Sequence, residues 1–170
     1  MKALVIYFSR ADENYFGGAM RYIDKGNTEV IAEYIRDICD ADLFKVERKV
    51  PYSKDYMTCI DEAKVEQRKG ERPELVACLD SIDDYDTIFI GAPIYWGTMP
   101  QPMFTQLERL SFQGKIVMPF TTHEGSGLAN VVKDVQKIAQ GATVKPGLAI
   151  VGSKVHDAKV QAEQWIKNNL

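Results

Sequence analysis

Five short apolar runs, separated by amphipathic patterns, constrain the fold of this chain more than any other feature. Met1–Phe8 reads MKALVIYF, a near-continuous apolar run typical of a strand covered on both faces. Four later runs have the same character: Asp42–Val46, Asp86–Gly91, Lys115–Phe120 and Gly147–Val151. Strands that alternate with helices favour a parallel sheet. The sequence therefore predicts an α/β fold, a doubly wound five-stranded parallel sheet in a three-layer sandwich.

Helical patterns fill the intervals between these runs. From Asn27, apolar residues recur at i, i+1, i+4, i+5 and i+8, which is one face of a helix. Similar stripes lie at about 100–110 and at 128–138, and a terminal helix is predicted over Asp157–Leu170. The polar segment Arg48–Leu75 has a helical pattern at 58–68, and we expect it to cover one end of the sheet. The length of 170 residues fits a single domain, 1–170.

Composition excludes several classes of function. The net charge is -3 and no dense basic cluster is present, which argues against binding to nucleic acid or to an anionic membrane. The N-terminus lacks the pattern of a signal peptide, and no segment has the roughly 18 apolar residues of a membrane span. We therefore expect a soluble, cytoplasmic protein. The three cysteines and two histidines have no metal-binding spacing, so we expect no metal site.

Ligands of doubly wound sheets bind beyond the carboxyl ends of the strands. The first loop at that edge starts with Ser9-Arg10 and resumes at Gly26-Asn27-Thr28, which opens a helix. Hydroxyls beside a helix N-terminus suit a phosphate, since the first N–H groups lack partners. The alternative is that Asn27 or Thr28 only caps the helix. The sequence is neither GxxxxGK[ST] nor GxGxxG, so it is not a triphosphate loop or a dinucleotide fingerprint.

The other two loops at this edge follow the third and fourth predicted strands. GAPIYWGTMPQP places Tyr95 and Trp96 in a short loop, where they could stack on a flat ring. Alternatively, one of the two packs on the sheet. TTHEGSGLAN combines hydroxyls and glycines before a helix, and its N–H groups could bind the polar edge of a ring. It matches neither a nucleophile elbow nor HExxH.

Together these motifs resemble the flavodoxin family, over nearly the whole chain. The matching segments are Ser9 with 26–28, PIYWG at 93–97, and THEGSG at 122–127. The resemblance implies a sheet order of 2-1-3-4-5 and non-covalent FMN. It also implies these cofactor-binding residues: Ser9, Arg10, Asn27, Thr28, Pro93, Ile94, Tyr95, Trp96, Gly97, Thr98, Thr122, His123, Glu124, Gly125, Ser126 and Gly127.

The roles within this set also come from the resemblance. Ser9, Asn27 and Thr28 would hold the phosphate, and Trp96 is the better candidate for stacking on the ring. The carbonyl of Gly97 matches one that turns toward the reduced flavin in the family. Arg10 stands where the family more often has a hydroxyl or a small residue.

The residues 10–25 interrupt the first loop and are rich in large apolar side chains around a Gly-Gly pair. We expect them to form a packed flap, either beside the flavin, as a partner surface, or merely on its own domain. Two departures from the family bear on function. Thr98 replaces an acidic residue, and the fourth loop offers His123 instead of a second aromatic. A flavin face left open in this way could admit an organic acceptor.

The predicted function is electron transfer through FMN, to a redox partner protein or a small organic acceptor. The alternative is an NAD(P)H-dependent FMN reductase of quinones, with His123 as its candidate proton donor. No other catalytic residue is predicted, and the chain could be a monomer or a homodimer. A flavin-free signalling domain is disfavoured, because the third strand ends in Gly91-Ala92-Pro93 and lacks a phospho-acceptor aspartate.

Overall fold

The computed structural model describes residues 1–170 and contains a central sheet between two layers of helices. In chain order the elements are β1 (Ala3–Tyr7), β2 (Asp12–Phe16), β3 (Ala19–Ile23), α1 (Asn27–Cys39), β4 (Asp42–Lys45), α2 (Tyr56–Arg68), β5 (Thr87–Pro93), α3 (Gln101–Leu107), β6 (Ile116–His123), α4 (Val131–Ile138), β7 (Thr143–Val144), β8 (Leu148–Val151), a 3-10 helix (Gly152–Asp157) and α5 (Lys159–Asn169). None of the helices combines the length with the apolar character that a membrane span needs.

The central sheet is parallel and has the order β4-β1-β5-β6, with β7 and β8 both on the free side of β6. β7 pairs with the start of β6 and β8 with its end, so the two together occupy the fifth strand position. Pro146 lies between them and has no N–H for a ladder bond. The predicted doubly wound order 2-1-3-4-5 is therefore confirmed, with a fifth strand in two pieces.

Two apolar cores lie on opposite faces of this sheet. Alternate residues of β1 face each way: Leu4 and Ile6 join one core, and Val5 joins the other. α2, α3 and α4 cover the first core, whereas α1 and α5 cover the second. Trp165 of α5 contacts the rings of Phe89 and Phe120 edge-on in the second core.

The residues 10–25 form an antiparallel hairpin outside the central sheet, which the sequence analysis did not predict as strands. β2 and β3 pair from Asp12–Ile23 to Phe16–Ala19 around a Gly17-Gly18 turn. Positive φ angles of 62° and 89° at these glycines suit a tight hairpin turn. The apolar side chains of the hairpin are less packed than expected, and Tyr22 is 64% exposed.

Several element boundaries also differ from the prediction. β5 and β6 run on to Pro93 and His123, because Pro93 pairs with Thr122 and the ladder continues there. These residues, predicted as loop, are therefore strand residues. α2 begins at Tyr56, two residues earlier than expected, since Asp55 caps it by accepting a hydrogen bond from the N–H of Thr58.

Candidate functional site

A cavity of about 450 Å³ opens beyond the carboxyl ends of β1, β5 and β6, where the sequence analysis located the site. Three regions that are distant in sequence meet around it: the start of α1, the turn after β5 and the end of β6. The lining residues are Arg10, Asn14, Tyr15, Asn27, Thr28, Tyr56, Cys59, Ile60, Ala63, Pro93, Ile94, Tyr95, Trp96, Gly97, Thr122, His123, Glu124 and Ser126.

The two pieces of the interrupted first loop lie in direct contact. A Cβ at Gly26 would sit 2.1 Å from Ser9 Oγ and 2.8 Å from the backbone N and O of Arg10. Ser9 Oγ accepts a hydrogen bond of 3.1 Å from the N–H of Glu29, in the first turn of α1. Gly26 is the N-cap, and no side chain of its own helix caps α1. The alternative that Asn27 or Thr28 only caps this helix is therefore wrong.

A pair of threonine hydroxyls joins the start of α1 to the end of β6. Thr28 Oγ1 and Thr122 Oγ1 are 2.7 Å apart, and both residues are buried at the cavity wall. One hydroxyl donates to the other, which leaves one hydroxyl proton for a further acceptor. Asn27 lies next to this pair. The helix N-terminus, an amide and the hydroxyl pair thus form a set of donors suited to an anion.

The turn after β5 presents its two aromatic residues in different ways. Tyr95 packs against the rings of Phe8 and Tyr52, with centroids 5.8 Å away in each case, so it anchors the loop on the core. Trp96 is 46% exposed, and its indole N–H donates to the carbonyl of Ile60 over 2.8 Å. Of the two aromatic residues in the loop, one was expected to pack on the sheet, and Tyr95 is that residue.

The turn after β5 is held by its own backbone hydrogen bonds and by hydrogen bonds from α2 and from Asn130. Trp96 has φ 53° and Gly97 has φ 84°, and the turn is closed by hydrogen bonds between Tyr95 and Thr98. Gln67 of α2 donates its side-chain amide to the Trp96 carbonyl, at 3.1 Å. The Gly97 carbonyl accepts a hydrogen bond of 3.0 Å from the N–H of Asn130, and not from Gln67.

The loop after β6 is braced by its own side chains. His123 Nδ1 accepts from the N–H of Gly125 over 2.9 Å, so the proton of the neutral imidazole lies on Nε2. Glu124 accepts from the N–H of Ser153 at 2.9 Å, which ties the loop to the 3-10 helix. Ser126 lines the cavity. This loop therefore presents an N–H donor and a hydroxyl.

A further wall comes from the hairpin and α2. A flap beside the flavin was one of the expectations for residues 10–25, but none of the residues of this wall was predicted to line the site. Its cavity-lining residues are Asn14, Tyr15, Tyr56, Cys59, Ile60 and Ala63. The Gly-Gly pair flanked by DENYF and AMRYI was a hairpin signal. For α2, the sequence indicated a cover for the sheet but not which residues would face a cavity.

Burial raises the pKa values of two groups that line the cavity. It raises the pKa of the Cys59 thiol, which lies 3.9 Å from the Tyr95 hydroxyl. Burial also raises the pKa of Tyr95 well above its ordinary value. Arg10, at the base of the hairpin, also lines the cavity, and its guanidinium donates to the main-chain carbonyls of Glu13, Ser53 and Lys54.

Twelve of the sixteen residues expected to bind the cofactor line the cavity, and Ser9, Thr98, Gly125 and Gly127 do not. Ser9 is buried, and its Oγ accepts a hydrogen bond from the Glu29 N–H of α1. Ser9 also borders a separate cavity beside β4. The Thr98 hydroxyl donates to Asp134. Gly125 and Gly127 shape the loop through positive φ angles of 145° and 63°.

A doubly wound parallel sheet, with a ligand-sized cavity at the switch point and a helix N-terminus beside it, is typical of nucleotide-binding α/β proteins. Comparison with known proteins narrows this class. A family model described as Flavodoxin matches residues 19–169. The chain belongs to the flavodoxin family, and the resemblance drawn from its three loops is confirmed.

Three solved structures resemble this chain over almost its full length. A protein from Bacteroides uniformis, provisionally described as a flavoprotein, has 28% identity and a TM-score of 0.75, with 98% of this chain and 97% of that chain covered. One from Bacteroides eggerthii has 27% identity and a TM-score of 0.71, with coverage of 94% and 96%. A flavoprotein from Lactobacillus acidophilus, in complex with FMN, has 25% identity and a TM-score of 0.61, with coverage of 92% and 97%. No curated protein matches the sequence.

Proposed function

We propose that this chain is an electron carrier that works through non-covalently bound FMN. The FMN predicted from sequence is supported by membership of the flavodoxin family and by the FMN complex of the Lactobacillus acidophilus protein. When bound, FMN supplies redox chemistry that amino-acid side chains lack. The contribution of the chain is to bind the group, orient it and control its access to water and to partners.

The residues present fit this cofactor. The start of α1 offers backbone N–H groups and a partial positive charge, and Thr28, Thr122 and Asn27 add neutral donors, as a phosphate requires. Gly26 has no room for a Cβ, so the two pieces of the phosphate loop lie in close contact there. Tyr95 and Trp96 form an aromatic surface suited to a flat ring. The cavity of about 450 Å³ falls in the size range of cofactor sites.

The observation that carries the carrier function is the presence of two tyrosines at the cavity wall, outside the three loops. The sequence suggested a flavin face left open to an organic acceptor, because the fourth loop has no aromatic. In the structure, Tyr15 of the hairpin and Tyr56 of α2 stand at the cavity wall instead. Aromatic rings over a flavin face would compete with a stacked organic substrate for that face, whereas electrons can leave through an exposed edge. Trp96, 46% exposed, marks such an edge.

His123 acts here as a hydrogen-bond donor. Since Nδ1 is occupied by the N–H of Gly125, only Nε2–H is free to donate to an acceptor in the cavity. A donor at that place orients the bound group and needs no proton transfer.

An NAD(P)H-dependent FMN reductase of quinones is the second candidate, and the local charge favours it. Lys64 Nζ lies 4.8 Å from the centre of the Trp96 ring, and Arg10 borders the same cavity. Cations near a group favour its anionic form, so they would favour an anionic reduced flavin. Thr98, where carriers often have an acidic residue, adds no opposing negative charge.

An anaerobic redox titration of the FMN-loaded protein, combined with an NADPH–quinone assay, separates the two candidates. We expect two resolved one-electron steps, and NADPH oxidation only after a partner reductase is added. Steady NADPH oxidation by the isolated protein with a quinone would overturn the carrier and support the reductase. Failure to bind FMN at all would reject both. Lys64→Gln is the matched variant, since it removes the cation and keeps a polar side chain that is one atom shorter.

The partner and the location remain part of this proposal. A redox partner protein, or a small organic acceptor reached at the exposed edge, would exchange electrons with the flavin in the cytoplasm.

A further inference from the structure

We propose that Tyr15, carried by the β2–β3 hairpin, packs on the bound flavin and limits its release. This inference rests on the proposed FMN function. It assigns a cofactor contact to a residue outside the three loops that resemble the family. The hairpin interrupts the phosphate loop, so its position relative to the cavity decides whether Tyr15 can have this role.

The base of the hairpin is fastened to the start of α2. The Glu13 carboxylate accepts from the N–H of Tyr56 at 3.0 Å, and the N–H of Glu13 donates to the Lys54 carbonyl at 3.4 Å. The Arg10 guanidinium donates to the carbonyls of Glu13 and Lys54 as well. Asn14 Nδ2 closes the turn before β2 by donating to the Arg10 carbonyl at 3.1 Å. These bonds fix the direction in which the hairpin leaves the sheet.

The tip of the hairpin rests on the opposite side of the site. A Cβ at Gly17 would lie 3.4 Å from Cβ of Ser153, in the 3-10 helix that follows β8. The same Ser153 donates its N–H to Glu124, which lines the cavity. The hairpin thus runs from α2 to the 3-10 helix and bridges two walls of the cavity. The hydrogen bonds at its base and the close approach of Gly17 at its tip limit the motion of the hairpin.

Two residues of β2, Asn14 and Tyr15, line the cavity, and the Asn14 side chain is already bonded to the carbonyls of Arg10 and Ala11. Glu13 and Tyr15 are two residues apart on β2, so their side chains leave the same face of the hairpin. Glu13 reaches the α2 N-terminus on that face, and Tyr15 lines the cavity. Tyr22 pairs directly with Glu13 but does not line the cavity. Two tyrosines of one hairpin therefore differ in their access to the site.

Tyr15 has an incomplete set of contacts that a flat ligand would complete. It is 43% exposed although its backbone is anchored, so part of its ring has no protein neighbour. The TTHEGSG loop supplies no aromatic side chain to the site. Offset stacking with an aromatic ring is favourable beyond the area that it buries. A flavin in the cavity would gain this contact from Tyr15.

The test measures FMN affinity and FMN dissociation for Tyr15→Ala, Tyr15→Phe and Tyr22→Ala. Loss of one stacking contact should raise the Kd of Tyr15→Ala about tenfold, mostly through faster dissociation. Tyr15→Phe keeps the ring and should bind as the wild type does. Tyr22→Ala is the matched control, because it removes the same side chain from the same hairpin away from the cavity, and its Kd should not change.

The outcomes separate this inference from the function on which it rests. Wild-type protein that fails to bind FMN overturns the proposed function. Wild-type binding with an unchanged Kd and dissociation rate in Tyr15→Ala overturns the Tyr15 contact alone. Equal weakening in Tyr15→Ala and Tyr22→Ala would assign the effect to hairpin stability and would also overturn it. Thermal unfolding of the FMN-free variants checks that the hairpin is intact.

Discussion

Gly26→Ala should separate the two pieces of the phosphate loop. The φ and ψ angles of Gly26 are -63° and 150°, which any residue can adopt, so the substitution introduces no backbone strain. The effect is purely steric. The new Cβ would lie 2.1 Å from Ser9 Oγ and 2.8 Å from the N and O of Arg10. Ser9 can rotate, but the Arg10 backbone cannot, so the start of α1 must move.

The expected magnitude follows from two contributions. Overpacking at a tight contact destabilises by about 1–3 kcal/mol. Displacing Ser9 also removes the acceptor for the Glu29 N–H, a capping interaction worth about 1 kcal/mol. The free energy of unfolding should fall by about 2–4 kcal/mol, which leaves most domains of this size folded. FMN affinity should fall at least about tenfold, because the donors at the helix start lose their positions.

Urea denaturation and FMN titration of a double-mutant cycle test this reasoning. Ser9→Ala alone should lose only the capping contribution, about 1 kcal/mol. In the Ser9→Ala/Gly26→Ala variant the nearest clash is absent, so its loss of stability should be smaller than the sum of the single losses. Gly26→Ala with wild-type stability and wild-type FMN affinity would refute the close contact between the two pieces. Strict additivity would refute the role of Ser9 Oγ in the clash.

Three further predictions concern single side chains at the cavity. Thr28→Val should weaken FMN binding, because Thr122 loses its hydroxyl partner and the anion loses a donor. Thr28→Ser keeps the hydroxyl and should not weaken binding. Equal FMN titration curves for the two variants would contradict the phosphate role of Thr28. Trp96→Ala should raise the Kd for FMN about tenfold and shift the flavin potential, and unchanged values of both would rule out a ring contact. Burial raises the pKa of Cys59, so iodoacetamide should alkylate Cys59 far more slowly than the exposed Cys78. Peptide mass spectrometry measures both rates, and equal rates would contradict the burial of Cys59.

The sequence was most informative where the chain is buried on both sides. Apolar runs such as the one ending at Phe8 predicted the strands, because a strand covered by helices on both faces tolerates few polar residues. The loops could then be located, since parallel strands bring their carboxyl ends to one edge. Local composition could not define where β5 and β6 end. Pro93, Thr122 and His123 have no apolar signal, and only their pairing with neighbouring strands makes them extended.

The sequence analysis allowed a flap beside the flavin at residues 10–25, but it could not define the wall that the hairpin forms with α2. Its position depends on long-range hydrogen bonds between main-chain groups and side chains, such as that of the Tyr56 N–H with the Glu13 carboxylate. Such bonds leave no periodic pattern, because each uses a single side chain. Arg10 shows the same limit. The resemblance placed it among the cofactor-binding residues; it does line the cavity, but three main-chain carbonyls accept the hydrogen bonds of its guanidinium.

The geometry of the hairpin explains how a long insertion can leave a phosphate loop intact. An antiparallel pair brings its first and last residues together, and here Asp12 lies opposite Ile23. The chain that leaves after Ser9 therefore returns beside it, and Gly26 can approach the backbone of Arg10 closely. The entropy lost on closing a loop grows only slowly with the length of the loop. Here the hydrogen bonds between β2 and β3 offset part of that loss. The interruption thus adds a wall to the site without disturbing the start of α1.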